Sequence, residues 1–268
     1  MPSNPLHDSG VFLDTTRPNI ARIFNFMIGG TANFEVDRVA AHHILAVFPA
    51  LRKWVRLRHA FVQEAVQVLL EEGFTQFLDI ASGIPTQDHA YVNLSGVRVV
   101  YSDINPVAVS YGASLLSGRN NAAYIYGDAN QTEAILNDSS VRRLIYMNQK
   151  VAIGLNSVQV FLESEQCQNM ALQLYDWAPA GSKLFIVLQT ANNTGSEKAV
   201  EQFLALGRQT GFTMKFDPLQ HLLDSLLPWQ PIYLEPIEKF LGFPAGFITE
   251  SDRANVDMAF YAGFFVKG

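Results

Sequence analysis

Apolar residues change their period several times along this chain. Between residues 19 and 47 they recur every three or four positions, the spacing of one helix face, and the break at Gly29-Gly30 predicts two helices rather than one. Residues 54–70 place Trp54, Leu57, Phe61, Ala65, Val68 and Leu69 on a single stripe with Gly73 as a stop, which predicts a third helix. Five short apolar runs follow, at 76–81, 97–102, 123–126, 151–155 and 183–188, each closed by a polar residue or glycine. Helical patterns lie between most of them, as at 106–116 and 165–176, so the repeat of strand, helix and strand predicts right-handed crossovers and a parallel sheet. After a helix at 197–209, the runs 212–216 and 258–266 are expected to pair as a terminal antiparallel hairpin. Residues 217–257, rich in Pro, Leu and aromatics, are too long for a turn and read as a lid or extra helices.

Composition agrees with such a sheet. Of 268 residues 49% are hydrophobic, enough to cover both faces of a central sheet in one domain. The balance of 19 Lys+Arg against 25 Asp+Glu gives no general attraction to phosphate backbones or anionic lipid. A lone Cys167 excludes an internal disulfide framework, and no Cys/His spacing suggests a metal site, so none is expected. Residues 1–10 lack the basic start and apolar run of a secretion signal, and no apolar stretch approaches the ~20 residues of a spanning helix. A cytoplasmic protein is expected, with a homo-oligomer left open.

In open α/β sheets the ligand sits beyond the carboxyl ends of the strands, so the loop after the first strand matters most. Here it reads Leu78-Asp79-Ile80-Ala81-Ser82-Gly83-Ile84-Pro85-Thr86. A dinucleotide fingerprint needs three glycines to admit a pyrophosphate, and only Gly83 is present, which disfavours a nicotinamide oxidoreductase. A nucleoside cofactor without phosphate asks for less: one close-approach glycine, with acids at the strand ends. Asp79 ends the first run and Asp103 follows the second, about 20 residues past Gly83, where a carboxylate accepts from ribose hydroxyls. Asp128 follows the third and is placed to accept from an adenine amino group. Any one of these acids could merely cap the following helix. Three at successive strand ends point instead to an adenosyl pocket, with Ala81, Ser82, Gly83, Pro85, Thr86, Ile104, Asn105 and Ala129 beside them.

The loop at 77–86 resembles motif I of an S-adenosyl methyltransferase family long known only as a domain of unknown function. Pro18-Asn19-Ile20-Ala21-Arg22-Ile23-Phe24-Asn25-Phe26-Met27-Ile28-Gly29-Gly30, with Asn33-Phe34 and Asp37-Arg38, resembles the N-terminal signature of that family. Similarity continues through residues 100–106, Gly127-Asp128 and Val151-Ala152, and reaches Pro231. The resemblance implies an α/β, Rossmann-like class I methyltransferase: a mostly parallel seven-stranded sheet with helices on both faces. The chain is then expected to be one domain with an N-terminal helical cap at 1–52, a cofactor-binding core at 53–216, a lid insertion, read from its length and composition, at 217–257, and a last strand at 258–268. The resemblance also places Arg22 and the Gly29-Gly30 turn near the amino-acid end of S-adenosylmethionine, where an arginine would meet the carboxylate. The chain departs from the family pattern at Phe24-Asn25, Arg58-His59 and Gln159-Val160. Asn156 and Ser157, at the end of the fourth run, are candidates to touch the cofactor from the other side.

Transfer of a methyl group from a sulfonium needs alignment more than acid–base help. If a base acts on a hydroxyl acceptor, His221 or His89 are the candidates. The basic run 52–58 reads as a solvated helix face. The expected activity is methylation of a small-molecule acceptor. A non-catalytic protein binding S-adenosylmethionine or S-adenosylhomocysteine is the alternative, and an aminopropyltransferase would need an acidic groove that the sequence does not show.

Overall fold

The computed structural model describes residues 14–85, 96–191, 196–209 and 213–268; the expectations at Thr86 and His89 lie outside them. Three helices precede the sheet: α1 (Ile20–Ile28), α2 (Glu35–Val47) and α3 (Leu51–Glu71). Then come β1 (Gln76–Ile80), β2 (Arg98–Asp103), α4 (Pro106–Leu115), β3 (Ala122–Tyr126), α5 (Thr132–Leu136), α6 (Ser139–Leu144) and β4 (Ala152–Asn156). The remainder runs α7 (Ser164–Trp177), β5 (Lys183–Ala191), α8 (Glu197–Gln209), α9 (Leu219–Asp224), β6 (Gln230–Pro236), α10 (Ile237–Phe240), α11 (Glu250–Arg253) and β7 (Met258–Val266).

These strands form one seven-stranded sheet in the order β3-β2-β1-β4-β5-β7-β6. Neighbours among β1 to β5 are parallel, and β7 runs antiparallel to both β5 and β6. All five residues of β1 are buried, as a strand covered on both faces requires. Alternate side chains feed opposite layers: Phe77 joins the core of Trp54, Phe61 and Phe185, and Leu78 joins that of Leu155, Leu174 and Trp229.

The N-terminal helices are fixed by specific bonds. Asn19 caps α1, its side-chain oxygen accepting from the Ala21 and Arg22 amides at 3.0 and 3.4 Å. Gly29 ends α1 at φ +95°, the left-handed conformation a glycine adopts without strain. Beneath the turn to α2, Arg22 Nε donates to Asp37 Oδ2 at 2.7 Å, with the side chains 1% and 0% exposed. Asp37 also accepts from the Asn19 and Phe34 amides, at 2.9 and 2.8 Å. One carboxylate thus ties together the start of α1, its first turn and the start of α2.

One expected pairing is corrected. The partner of β7 is β6, not residues 212–216, of which 213–216 are described and lie outside any strand. Pro231, Pro236 and a register shift between Pro231 and Tyr233 interrupt β6. Most of its side chains face outward, so this edge strand has neither the apolar run nor the alternation that mark strands in a sequence.

Candidate functional site

The chain leaves β1 for β2 on one side of the sheet, while β4 lies on the other side of β1. The order reverses at this point, and the carboxyl ends of β1 and β4 bound a crevice. Just beyond each end stands a non-glycine residue in the left-handed region, Ala81 at φ 58° and Ser157 at φ 70°. Such backbone costs of order 1–3 kcal/mol and persists where the surroundings impose it, characteristically at functional sites.

After β1 the loop is held against β2 and β3. Ser82 Oγ donates to the Asp79 carbonyl at 2.7 Å, and the Ser82 amide to the Ser102 carbonyl at 3.0 Å. The Gly83 amide donates to Asp103 Oδ2 at 2.8 Å, and the Gly83 carbonyl accepts from the Tyr124 hydroxyl at 2.6 Å. Asp103 Oδ1 accepts from the Asn105 amide at 2.8 Å. Asn105, not Asp103, caps α4, through Val107 at 3.0 Å. Each oxygen of Asp103 therefore keeps a lone pair beyond its backbone bond. Asp128 does cap, accepting from the Asn130 amide at 2.9 Å, and it lines the crevice as well.

Asp79 is 3% exposed and stands in register with Gly154 of β4. A Cβ on Gly154 would lie 2.5 Å from Asp79 Oδ1 and 2.5 Å from the Phe185 ring, so glycine there makes room for the carboxylate. Asp79 Oδ1, both amide atoms of Asn156 and Ser157 Oγ are buried without a hydrogen-bond partner. Burial, and after it the charge of Asp103, pushes the Asp79 carboxyl up to about 7; the nearby Asn156 amide and the Arg58 guanidinium pull the other way. Burial also raises Asp103, against the backbone amides that favour its charge. Arg58 reaches in from α3 and stacks over the Phe24 ring, 5.2 Å from its centroid. Its burial lowers the guanidinium to about 10, opposed by Asp79, and it stays charged at neutral pH.

These groups surround a cavity of about 620 Å³, within the span of small-molecule and cofactor sites. Of the residues expected from sequence, Asp79, Ala81, Ser82, Gly83, Asp103 and Ile104 line it. So do Asn105, Asp128, Ala129, Asn156 and Ser157. Arg22, Gly29, Gly30, Pro85 and His221 are not part of the lining. Arg22 is occupied elsewhere: besides Asp37, its guanidinium donates to the Asp14 and Arg17 carbonyls at 3.1 and 2.7 Å. Gly29 and Gly30 form the cap of α1, and His221 is an exposed residue of α9, whose Leu222 packs inward. Nor does any residue of 217–257 line the cavity.

Sequence reasoning missed Arg58 and His59, which line the cavity with Val55 and Val62. Their spacing marks a second face of α3 beside the Trp54, Leu57 and Phe61 stripe, which is the signal that could have found them. Phe24, Asn25 and Ile28 of α1 also line it. α1 is held over the cavity by Asn19 and Asn105, whose side-chain amides exchange hydrogen bonds at 3.3 and 3.1 Å. Among the described residues no group of His, Cys, Asp and Glu could hold a metal ion, and no helix is long and apolar enough to cross a membrane.

Comparison with known proteins gives consistent results. The model of a family described as S-adenosyl methyltransferase matches residues 7–227. A crystal structure of a candidate methyltransferase from Thermobifida fusca YX is 26% identical, with a TM-score of 0.80 over 95% of this chain and 96% of that one. A DUF574 family protein from Streptomyces avermitilis MA-4680 superimposes with a TM-score of 0.81 at 23% identity, over 95% of this chain and 99% of that one. Geranyl diphosphate C-methyltransferase from Streptomyces coelicolor A3(2), crystallised with Mg2+, geranyl diphosphate and S-adenosyl-L-homocysteine, shares the fold. Its TM-score is 0.51 at 9% identity, over 76% of this chain and 81% of that one. Curated proteins yield no match.

Proposed function

The chain belongs to the S-adenosyl methyltransferase family, and from that membership we propose which residues hold S-adenosylmethionine. Asp103 takes the ribose hydroxyls and Asp128 the adenine amino group, with Ile104 beside the base. Arg58 takes the carboxylate of the amino-acid end, and Asp79 with Asn156 takes its ammonium. When bound, the cofactor supplies a methyl group on a positively charged sulfur that leaves readily. The oxidoreductase reading and the non-catalytic alternative give way to a methyltransferase.

One observation supports this assignment above the others: the crevice floor sets a carboxyl with an unsatisfied buried oxygen beside a charged guanidinium. Asp79 Oδ1 and the Asn156 amide atoms are buried without a hydrogen-bond partner, and Arg58 interacts with Asp79 across the floor. Leaving buried polar atoms unpaired costs of order 1–3 kcal/mol each. A zwitterionic amino-acid group satisfies both sides together. The protein's own task is then to orient that end, through Arg58 and Asp79, and to exclude water with α1. A small-molecule acceptor and a cytoplasmic enzyme complete the reading.

Isothermal titration with S-adenosylmethionine and S-adenosylhomocysteine, with NAD as control, tests it. Both adenosyl ligands are expected to bind and NAD is not. Arg58→Met should weaken both by ~10- to 100-fold, the worth of one charge-assisted contact. Binding of NAD alone, or an Arg58→Met variant with unchanged affinity, would sink the assignment.

The assignment also fixes a pH dependence. Below about 7 the Asp79 carboxyl of the free protein is protonated, and a cationic group binds its ionised form, so binding must release a proton. Affinity should therefore rise with pH by up to ~10-fold per unit below about 7 and level off above it. Asp79→Asn should bind more weakly and lose this slope, as titration between about pH 6 and 8 would show.

A further inference from the structure

We propose that the wall of the cavity built by α1, α3 and the turn after β4 seats the methyl acceptor, and that this acceptor is a neutral, largely apolar small molecule. The proposal rests on the assignment of the strand-end acids to the cofactor.

The cavity lining divides by chemistry. Its three carboxylates, Asp79, Asp103 and Asp128, all stand at or just beyond the ends of β1, β2 and β3. The other wall comes from α1, α3 and the turn after β4. Phe24 and Ile28 lie one helical turn apart on α1, and Val55 and Val62 two turns apart on α3, so each pair shares a stripe. Phe161 and Leu162, in the turn after β4, complete the lining on this side. Among the described residues this wall contains no carboxylate. Its charged group is Arg58, at the border with the cofactor floor, and beside it the His59 ring bonds to Gln63 Nε2 at 3.1 Å.

Charge decides what such a wall accepts. A polyamine or other cationic acceptor would give up its hydration and meet only the like charge of Arg58. A neutral apolar molecule loses little by leaving water and covers apolar side chains. Two large apolar side chains of the lining remain well exposed. Ile104, at 53%, adjoins Asp103 and belongs to the nucleoside side; Phe161, at 41%, lies past β4 on the opposite side. Apolar side chains exposed inside a concave site offer contact surface to a ligand. Phe161 is thus the platform for the acceptor.

The test uses 1-naphthol and spermidine as probes, titrated into the protein saturated with S-adenosylhomocysteine. Naphthol is expected to bind and spermidine is not. Phe161→Asp and Ile28→Asp should each weaken naphthol by about tenfold or more, with S-adenosylhomocysteine affinity kept within about twofold and cooperative melting retained. Two variants on separate elements guard against one that fails to fold. Spermidine binding, failure of naphthol to bind the loaded protein, or variants without effect on naphthol would each overturn the proposal. Failure of S-adenosylhomocysteine itself to bind would instead overturn the cofactor assignment, and this proposal with it.

Discussion

Replacing Arg22 by Met is expected to lower the stability of the protein by about 3–5 kcal/mol, the cost of breaking a buried ion pair from one side. The guanidinium and the Asp37 carboxylate are 1% and 0% exposed, so removing the cation leaves an uncompensated charge in the interior. Loss of the bonds to the Asp14 and Arg17 carbonyls adds to the effect by freeing the segment that leads into α1. Asp37→Asn, added to Arg22→Met, should return part of the loss, because it removes the stranded charge while its one amide oxygen still accepts from either the Asn19 or the Phe34 amide. Urea unfolding checks this: a midpoint unchanged by Arg22→Met would mean that the pair does not hold the cap. The outcome also separates two roles for the residue. Contact with the cofactor carboxylate would lower affinity at constant stability, whereas the position beneath the α1–α2 turn requires the reverse order of effects.

The second large effect is expected at Asp103. Asp103→Ala should weaken S-adenosylmethionine by ~100-fold or more, from two charge-assisted hydrogen bonds to ribose worth about 1.5–3 kcal/mol each. The same change releases the Gly83 and Asn105 amides, loosening the loop that approaches the nucleoside. Fold stability should change far less. Burial disfavours the charge on Asp103, so removing it relieves a cost that partly offsets the two lost backbone bonds. Asp103→Asn, which keeps one acceptor oxygen, should fall between the two proteins. Titration calorimetry together with thermal melting measures both quantities; unchanged affinity in Asp103→Ala would contradict the placement of the ribose.

Much of the molecule is legible in its sequence. The expected runs at 76–81 and 183–188 begin at the first residues of β1 and β5, and the helix at 197–209 coincides with α8. Gly29 separates α1 from α2 because its φ of +95° is one that other residues adopt only at a cost. Residues 81–84 of the motif I loop and the acids at 79, 103 and 128 line the cavity, since a parallel α/β crossover brings successive carboxyl ends to one edge. The capping reading of the acids holds for Asp128 and fails for Asp103, where the neighbouring Asn105 performs that task.

The arginines show where sequence reasoning stops. Arg22 lies in the N-terminal signature and Arg58 in a basic run that reads as solvated, yet Arg22 is bonded to Asp37 and Arg58 faces Asp79. Periodicity identifies one stripe of α3, but a helix packed between a sheet and a capping helix has two occupied faces, and only its neighbours reveal the second. The same limit applies to β6, which is a strand because β7 offers it backbone partners and not because of its own composition. The stretch at 217–257, which reads as a lid or extra helices, contains the short helices α9, α10 and α11 and the edge strand β6, and none of its residues lines the cavity. Local pattern, set by helical and strand periods, determined most of the elements, their order and the three acids. Contacts between segments far apart in the chain decided which cation reaches the cavity, which strand closes the sheet and which helix faces line the cavity, because those depend on burial and pairing that no single segment encodes.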